Sequence, residues 1–267
     1  MKSWKKYNGA IVPNTPPHII MNINDVESEI KKQNVFFARW TSDFDMQKKS
    51  HFWHVICDDI IELSGYSRNT RSKINRGLKH CEVRIIDKDI LVKYGYNVYI
   101  AAFKNYKTYL EPKSKKEFSE EIETRQSDWE FWGVFFNGEI IAYSKNKLVL
   151  DYCEYASIKF HPDYLKYYPS YSLFYRMNKY YLKDNNFKYV NDGVRSISHL
   201  TNIQDFLINK FKFRKAYCNL HILYSYPVKI FISLLYPFRK IIRVFNFNPF
   251  TRINILFYQE EIYRKKN

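Results

Sequence analysis

The chain has 267 residues, with 43 Lys and Arg against 27 Asp and Glu, a net charge of +16 and 46% hydrophobic residues. That apolar content excludes a disordered polyelectrolyte, and the length allows one large domain or two small fused ones around a real core. Charge of this sign favours nucleic acid, anionic lipid headgroups or phosphorylated substrates without choosing among them. Only seven glycines are present, which argues against Gly-rich phosphate loops and turn-built repeats. Cys57, Cys81, Cys153 and Cys218 are widely spaced, so neither a disulfide framework nor a zinc site is expected. The opening MKSWKKYNGAIVPNTPP lacks the apolar core of a signal peptide, and no apolar run is long enough to span a bilayer. A cytoplasmic location, peripheral to the inner membrane at most, is the expectation.

In chain order, residues 1 to about 33 read as an arm, because Pro13, Pro16 and Pro17 interrupt regular structure and an acidic stretch follows. Val35–Trp40 and Phe52–Cys57 are short runs of strand length. Ser67 is placed to cap a helix over RNTRSKINRGLKH, which stops before a strand at Glu82–Asp87. A helix is expected from Tyr94 to about Leu110, broken by Glu111-Pro112, and a charged one from Ser114 to about Ser127. Phe131–Phe136, Asn137-Gly138 and Glu139–Tyr143 spell a hairpin, since Asn-Gly supplies the positive φ angles of a tight turn. Lys147–Tyr152 and Tyr155–His161 extend it into a meander. Tyr171–Leu182 has Leu173, Met177, Tyr180 and Tyr181 at helical spacing, and Phe187–Val190 is a strand. Thr201 with Gln204 makes a capping box for a helix whose Ile203, Phe206, Leu207 and Phe211 share a face. Residues 227 to 258 are apolar, aromatic and basic together. They suit an element lying on an anionic membrane, kinked at Pro237, or a helix packed on the domain or in a dimer interface.

The run KYVNDGVRSISHLTNIQDFLINKFKFRKAY, Lys188 to Tyr217, resembles the last strand–helix–strand of the GNAT acyltransferase superfamily. There an Asn near the helix start precedes a Gly-Phe step and a final strand; Lys212-Phe213 stands here for Gly-Phe. The order from Ser114 onward (helix, three-strand meander, helix, strand, helix, strand) is also that of GNAT domains, and the likeness covers roughly residues 82 to 226. Upstream, LSGYSRNTRSKINRGLKHCEVRII is similar to the basic helix-then-strand of Fem-type aminoacyltransferases and their relatives in bacterial surface-polymer gene clusters. The resemblance implies an α+β fold in α/β/α layers: a mixed, mostly antiparallel central sheet flanked by helices, with the active cleft where two middle strands splay apart. It implies an acyltransferase domain at 34–226, with a partial unit at 34–113 and a more complete one at 114–226. The arm at 1–33 precedes it and a basic amphipathic tail at 227–267 follows.

Acyl transfer to an amine needs a held acyl donor, oxyanion donors and a route for the amine proton. GNAT enzymes cradle the CoA pyrophosphate on a Gly-rich turn at a helix N-terminus. The corresponding HPDYLKYYPSYSLFY has no glycine, and Pro162 and Pro169 remove two N–H donors. Ser170 and Tyr171 would stand at that N-terminus, either binding an anion or merely capping the helix. Fem-type enzymes, which take an aminoacyl-tRNA, also lack that turn. Ile208 occupies the position of the GNAT tyrosine general acid. Asp192, Arg195, Ser196 and His199 follow a central strand. Asp192 could take the amine proton, Arg195 could clamp a phosphate or carboxylate, and His199 titrates near neutrality. Their plainer account is an Asp-Gly turn, its ion partner and a loop histidine. Thr201 and Asn202, at the next helix start, complete the substrate-binding candidates. On the basic helix, Ile74 and Leu78 point one way while Arg68, Arg71, Arg76 and Lys79 fan over the other. That face could hold tRNA phosphates, a nucleotide-sugar or a lipid-linked pyrophosphate, or it is simply solvated. His51 and His54, beside Asp58 and Asp59, sit at strand spacing, so no metal is expected.

The resemblance implies an N-acyltransferase. It would move an acyl or aminoacyl group from acyl-CoA or aminoacyl-tRNA to an amine or hydroxyl of a cell-surface polysaccharide or peptidoglycan precursor. Its partners would be an anionic donor, a lipid- or nucleotide-linked acceptor, and an anionic membrane surface met through residues 227–258. The competing expectation is a non-catalytic protein of the same fold that binds RNA or anionic membrane.

Overall fold

The computed structural model describes residues 4–7, 9–21, 23–106, 111–197, 202–244 and 250–265. Trp4–Tyr7 (β1) and Ala10–Pro13 (β2) form an antiparallel hairpin through Gly9, whose φ of +78° suits glycine. Val26–Gln33 (α1) follows. The expected irregular arm is therefore ordered structure: Pro13 ends β2 instead of abolishing it, and Pro16 and Pro17 lie in the turn beyond. Phe37–Ser42 (β3) and Phe52–Cys57 (β4) come next. Arg68–His80 (α2) starts where Ser67 Oγ accepts the Thr70 N–H, and Glu82–Ile86 (β5) follows it. Lys88–Phe103 (α3) begins six residues earlier than the sequence pattern suggests, because Asp87 and Asp89 supply acidic groups at its start. Lys115–Glu123 (α4) has the full capping box of Ser114 and Glu117.

Trp129–Phe136 (β6) turns at Asn137 and Gly138, φ 50° and 82°, into Glu139–Val149 (β7). The expected break after Tyr143 does not occur. Ser144, Lys145 and Asn146 are buried within the strand because each has a partner: Ser144 Oγ donates to Asn146 Oδ1, and Lys145 Nζ meets Glu121 Oε1 at 2.6 Å. Tyr152–Phe160 (β8) completes the meander. Pro169–Asn178 (α5) runs on into a π-helical turn, Lys179–Asp184. Tyr189–Val194 (β9) is longer than the expected Phe187–Val190 and includes the Asp192-Gly193 pair that the sequence also allowed as a turn. Asn202–Phe211 (α6) and Arg214–Tyr224 (β10) precede Tyr226–Leu235 (α7), Arg239–Ile242 (α8) and Phe250–Arg264 (α9).

Contacts gather these elements into two compact units with boundaries different from those expected at 33, 113 and 226. The first comprises Met1–His54, Val194–Thr201 and Lys215–Asn267; the second comprises Val55–Gly193 and Asn202–Arg214. In the first, β2 pairs parallel to β3, and β3 antiparallel to β10. Val26 and Ile30 of α1 pack with Trp4, Ile11 and Ala38. Ile262 of α9 packs with Phe52, Cys218, Leu220 and Ile222. The expected tail is thus part of this unit's core.

In the second unit, β5, β6, β7 and β8 form an antiparallel meander, and β9 adds parallel to β8. Leu91 and Val98 of α3 and Phe118 and Ile122 of α4 pack with Phe131, Phe135 and Tyr143 of the sheet. Trp132, alternating to the other side of β6, gives its indole N–H to Tyr181 just past α5, while Phe174 of α5 meets Phe206 and Phe211 of α6. The architecture is the expected mixed, mostly antiparallel sheet flanked by helices.

Candidate active site

Strands β8 and β9 pair over three residues only, from Tyr152↔Tyr189 to Glu154↔Asn191, whereas β8 itself runs on to Phe160. A bulge explains the parting. On the β7 side, Ser157 faces Lys145 but Tyr155 already faces Asn146, so Ala156 is an extra residue that bends β8. At the same level, buried Asn191 accepts the Gly193 N–H through Oδ1 at 2.9 Å, and Gly193 takes a φ of +92°. That local turn presents Asp192 at the mouth of the divergence.

Asp192 is half-buried, and burial alone raises its carboxyl from the ordinary range to about 7. A carboxyl at that value exchanges a proton near neutral pH, as a general base must. Tyr155, fully enclosed on β8, donates its hydroxyl to Asn178 Oδ1 at 2.8 Å. Burial raises its phenol well above the ordinary value, and the Asp192 charge adds to the rise, so the two groups are close enough to feel one another.

The second feature is the start of α5. Tyr168 takes a left-handed φ of 59°, uncommon for a bulky residue, and its carbonyl accepts the N–H groups of Tyr171 and Ser172 at 3.1 and 3.3 Å. Ser170 stands half-buried in the first turn, and Tyr171 is buried edge-on against Phe206. Helix α2 lies directly on this turn: a Cβ at Gly77 would come within 2.7 Å of the Tyr168 carbonyl oxygen. The approach sets basic side chains over the helix start. The Arg76 guanidinium lies 4.7 Å from the Tyr168 ring centre and Nη1 donates to its hydroxyl at 3.1 Å, while Lys73 Nζ is 5.4 Å from the Tyr171 ring. Arg71 Nη1 donates to the Ser64 carbonyl at 3.4 Å, and Arg68 is exposed in the first turn of α2. The fold therefore brings Ser170, Tyr171 and Arg76 together, with Arg71 and Arg68 one and two turns back along α2.

Arg195 and Ser196 belong to the first unit. Arg195 lies over the Trp53 ring at 4.6 Å, gives Nη1 to the His51 carbonyl at 2.6 Å and Nη2 to the Tyr258 hydroxyl. These contacts tie its guanidinium to His51, Trp53 and Tyr258 within that unit. Ser196 is half-buried, and Asn202 is exposed at the start of α6. His199 and Thr201 lie outside the described residues. Ile208 is half-buried on α6. His54 is buried with neither ring nitrogen bonded, and burial, aided by Arg39, lowers it to about 4. Among the described residues no group of three or more His, Cys, Asp and Glu side chains is placed for a metal, and no helix is long and apolar enough to cross a membrane.

Sequence reasoning did not single out Tyr155, Asn178, Asn191, Lys73 or Tyr168. The Asn before Asp-Gly was a usable signal, because Asn side chains bond backbone N–H groups two residues on. The left-handed Tyr168 left no trace in composition.

A mixed sheet with a bulged strand parting from its parallel neighbour, and a helix following on the same unit, is a GNAT-like arrangement, and two solved structures resemble the chain in fold. The crystal structure of FemX superposes with a TM-score of 0.54, covering 80% of this chain and 71% of that one at 10% identity. The C-terminal domain of a putative lysylphosphatidylglycerol synthetase from Agrobacterium fabrum superposes with a TM-score of 0.52, covering 87% of this chain and 84% of that one at 8% identity. Likeness at such identities is one of fold. No family model matches the sequence, and no curated protein matches it.

Proposed function

We propose that the second unit catalyses acyl transfer, moving an aminoacyl group from an aminoacyl-tRNA to an amine or hydroxyl of a cell-envelope precursor. The observation that carries this reading is Asp192, half-buried and raised to about 7 where β8 and β9 part. As the acceptor nitrogen or oxygen attacks the donor carbonyl, the Asp192 carboxylate accepts its proton. The edge of β8 past Glu154 offers backbone N–H groups to the oxyanion. Collapse of that intermediate breaks the ester bond, and the leaving oxygen takes the proton back from Asp192 or from solvent, since Ile208 cannot supply one.

What covers α5 supports the choice of an aminoacyl-tRNA as donor. A CoA pyrophosphate needs an open helix start, whereas Gly77 of α2 packs on this one. Arg68, Arg71, Lys73 and Arg76 instead form a basic face suited to the phosphates of a nucleic-acid donor. Ser170, Tyr171, Ser196, Thr201 and Asn202 remain candidates for donor and acceptor contacts, and Arg195 and His199 for the roles their residue types suggested. The envelope acceptor rests on the sequence resemblance to Fem-type enzymes, and a lipid-borne one on the name of a putative lysylphosphatidylglycerol synthetase.

The test is consumption of mixed aminoacyl-tRNA or acetyl-CoA with lipid-linked envelope precursors as acceptors. Precursor-dependent deacylation of tRNA, lost in Asp192→Asn, is expected; CoA-thioester consumption would transfer the role to acyl-CoA. Salt-sensitive tRNA binding with neither donor consumed would favour the non-catalytic reading, to which the absent tyrosine and the covered helix start lend support.

A further inference from the structure

The segment from α7 to α8 has two faces of opposite use. Ile232, Tyr236 and Phe257 are buried together, with Val228, Phe231, Leu235 and Ile242 packed against them, so the inner face belongs to the core of the first unit. The outer face is also apolar. Tyr226, Ile230, Leu234, Phe238 and Ile241 follow at steps of four, four, four and three, and all are exposed, Leu234 at 65% and Ile241 at 63%. Val244 at 78% ends the row. Scattered exposed apolar side chains are ordinary; six at steps of three and four from α7 to just past α8 are not.

Basic groups border that row. Lys229 and Lys240 are exposed, each directly preceding a residue of the row, Ile230 and Ile241. Arg239 lies 4.3 Å from the Tyr236 ring centre, and Arg243 bonds Glu261 at 2.6 Å, which holds both at the margin. An apolar stripe flanked by Lys and Arg matches an anionic lipid surface, where rings and branched chains enter the acyl boundary and ammonium groups meet phosphates. Ten residues of α7 span about 15 Å, half the thickness of a hydrocarbon core, so the segment would lie along the interface. The single 3-10 turn Tyr236–Phe238, with Pro237 in it, joins α7 to α8.

We infer that the outer face of α7 and α8 docks the protein on the surface of a membrane containing anionic lipid. The inference stands apart from acyl transfer, because its test reads binding alone. Full-length protein is sedimented with vesicles of phosphatidylcholine alone and of phosphatidylcholine with phosphatidylglycerol. The expected result is binding to the mixed vesicles that the triple variant Leu234→Ser, Phe238→Ser, Ile241→Ser weakens at least about tenfold. Lys229→Gln with Lys240→Gln should weaken binding to mixed vesicles and leave any residual binding to neutral vesicles unchanged. These side chains are exposed, and circular dichroism checks that the fold persists. Equal binding by parent and triple variant would overturn the inference, since net charge alone would then explain adsorption. So would absence of parent binding, or a concentration-dependent dimer that the triple variant abolishes, which would assign the face to a second copy.

Discussion

Replacing Asp192 with Asn should make the protein more stable at neutral to alkaline pH while removing its activity. In the folded state the carboxyl titrates at about 7, against about 3.8 in an unfolded chain. As pH rises between those values the unfolded state has released its proton and the folded state still holds it, so ionisation favours unfolding. The penalty grows through that window and levels off above about 7. Taken in full, the displacement is worth about 4 kcal/mol. Asp192 keeps partial contact with solvent, so half of that, about 2 kcal/mol, is the working figure. Asn has the same shape and no charge. Denaturant unfolding of both proteins should therefore show the variant ahead by about 2 kcal/mol near pH 8 and by about 1 kcal/mol near pH 5. Turnover should fall about 10²- to 10⁴-fold, the range lost with a general base. A variant equal to the parent at both pH values would refute the reasoning, because the carboxyl would then be neither desolvated nor poised.

Three further perturbations test the framework. Glu121→Gln strands Lys145, whose ammonium is 7% exposed and lies 2.6 Å from the carboxylate; a loss of about 2–3 kcal/mol in a denaturant titration is expected. In the parent, burial would raise Glu121, but Lys145, Lys113 and Arg125 outweigh it and hold it at about 2, so its stabilisation fades as pH falls from about 4.5 through 2. Gly77→Ala should cost about 1–3 kcal/mol despite better helix propensity, because the added methyl meets the Tyr168 carbonyl at 2.7 Å; an unchanged denaturation midpoint would mean that α2 and α5 separate freely. His54→Leu should flatten acid sensitivity. The folded imidazole titrates at about 4 and the unfolded one at about 6.5, so the parent loses up to about 3 kcal/mol as pH drops across that interval and the variant should not.

Local signals were readable where the chain talks to its neighbours. Ser67 and Ser114 cap the helices that their positions promise, and Asn137-Gly138 turns the expected hairpin. Failures came where distant partners decide. Ser144 to Asn146 look like a loop until Glu121 and the interior amide network satisfy them inside β7. The prolines near the N-terminus look disruptive until β2 is seen to end at Pro13. Asp192 was singled out by its place after a strand, but its raised carboxyl depends on enclosure that no spacing encodes. Arg195 looked free to clamp a phosphate; Trp53 and Tyr258, far away in sequence, hold it.

The pairing of β3 with β10 has a consequence for synthesis on the ribosome. Ala38 is opposite Leu223, so a strand completed early must wait for a partner about 180 residues downstream. At ordinary translation speeds the delay is roughly 10–40 s. Throughout that interval the β3 edge stays open for pairing with any other nascent chain, a hazard for which edge strands are known. Residues 55–193 emerge in the meantime and hold most of the second unit, so that unit can begin folding first. Chains stopped short of Asn219 would leave the edge permanently open, and they should collect in aggregates where the full-length protein does not.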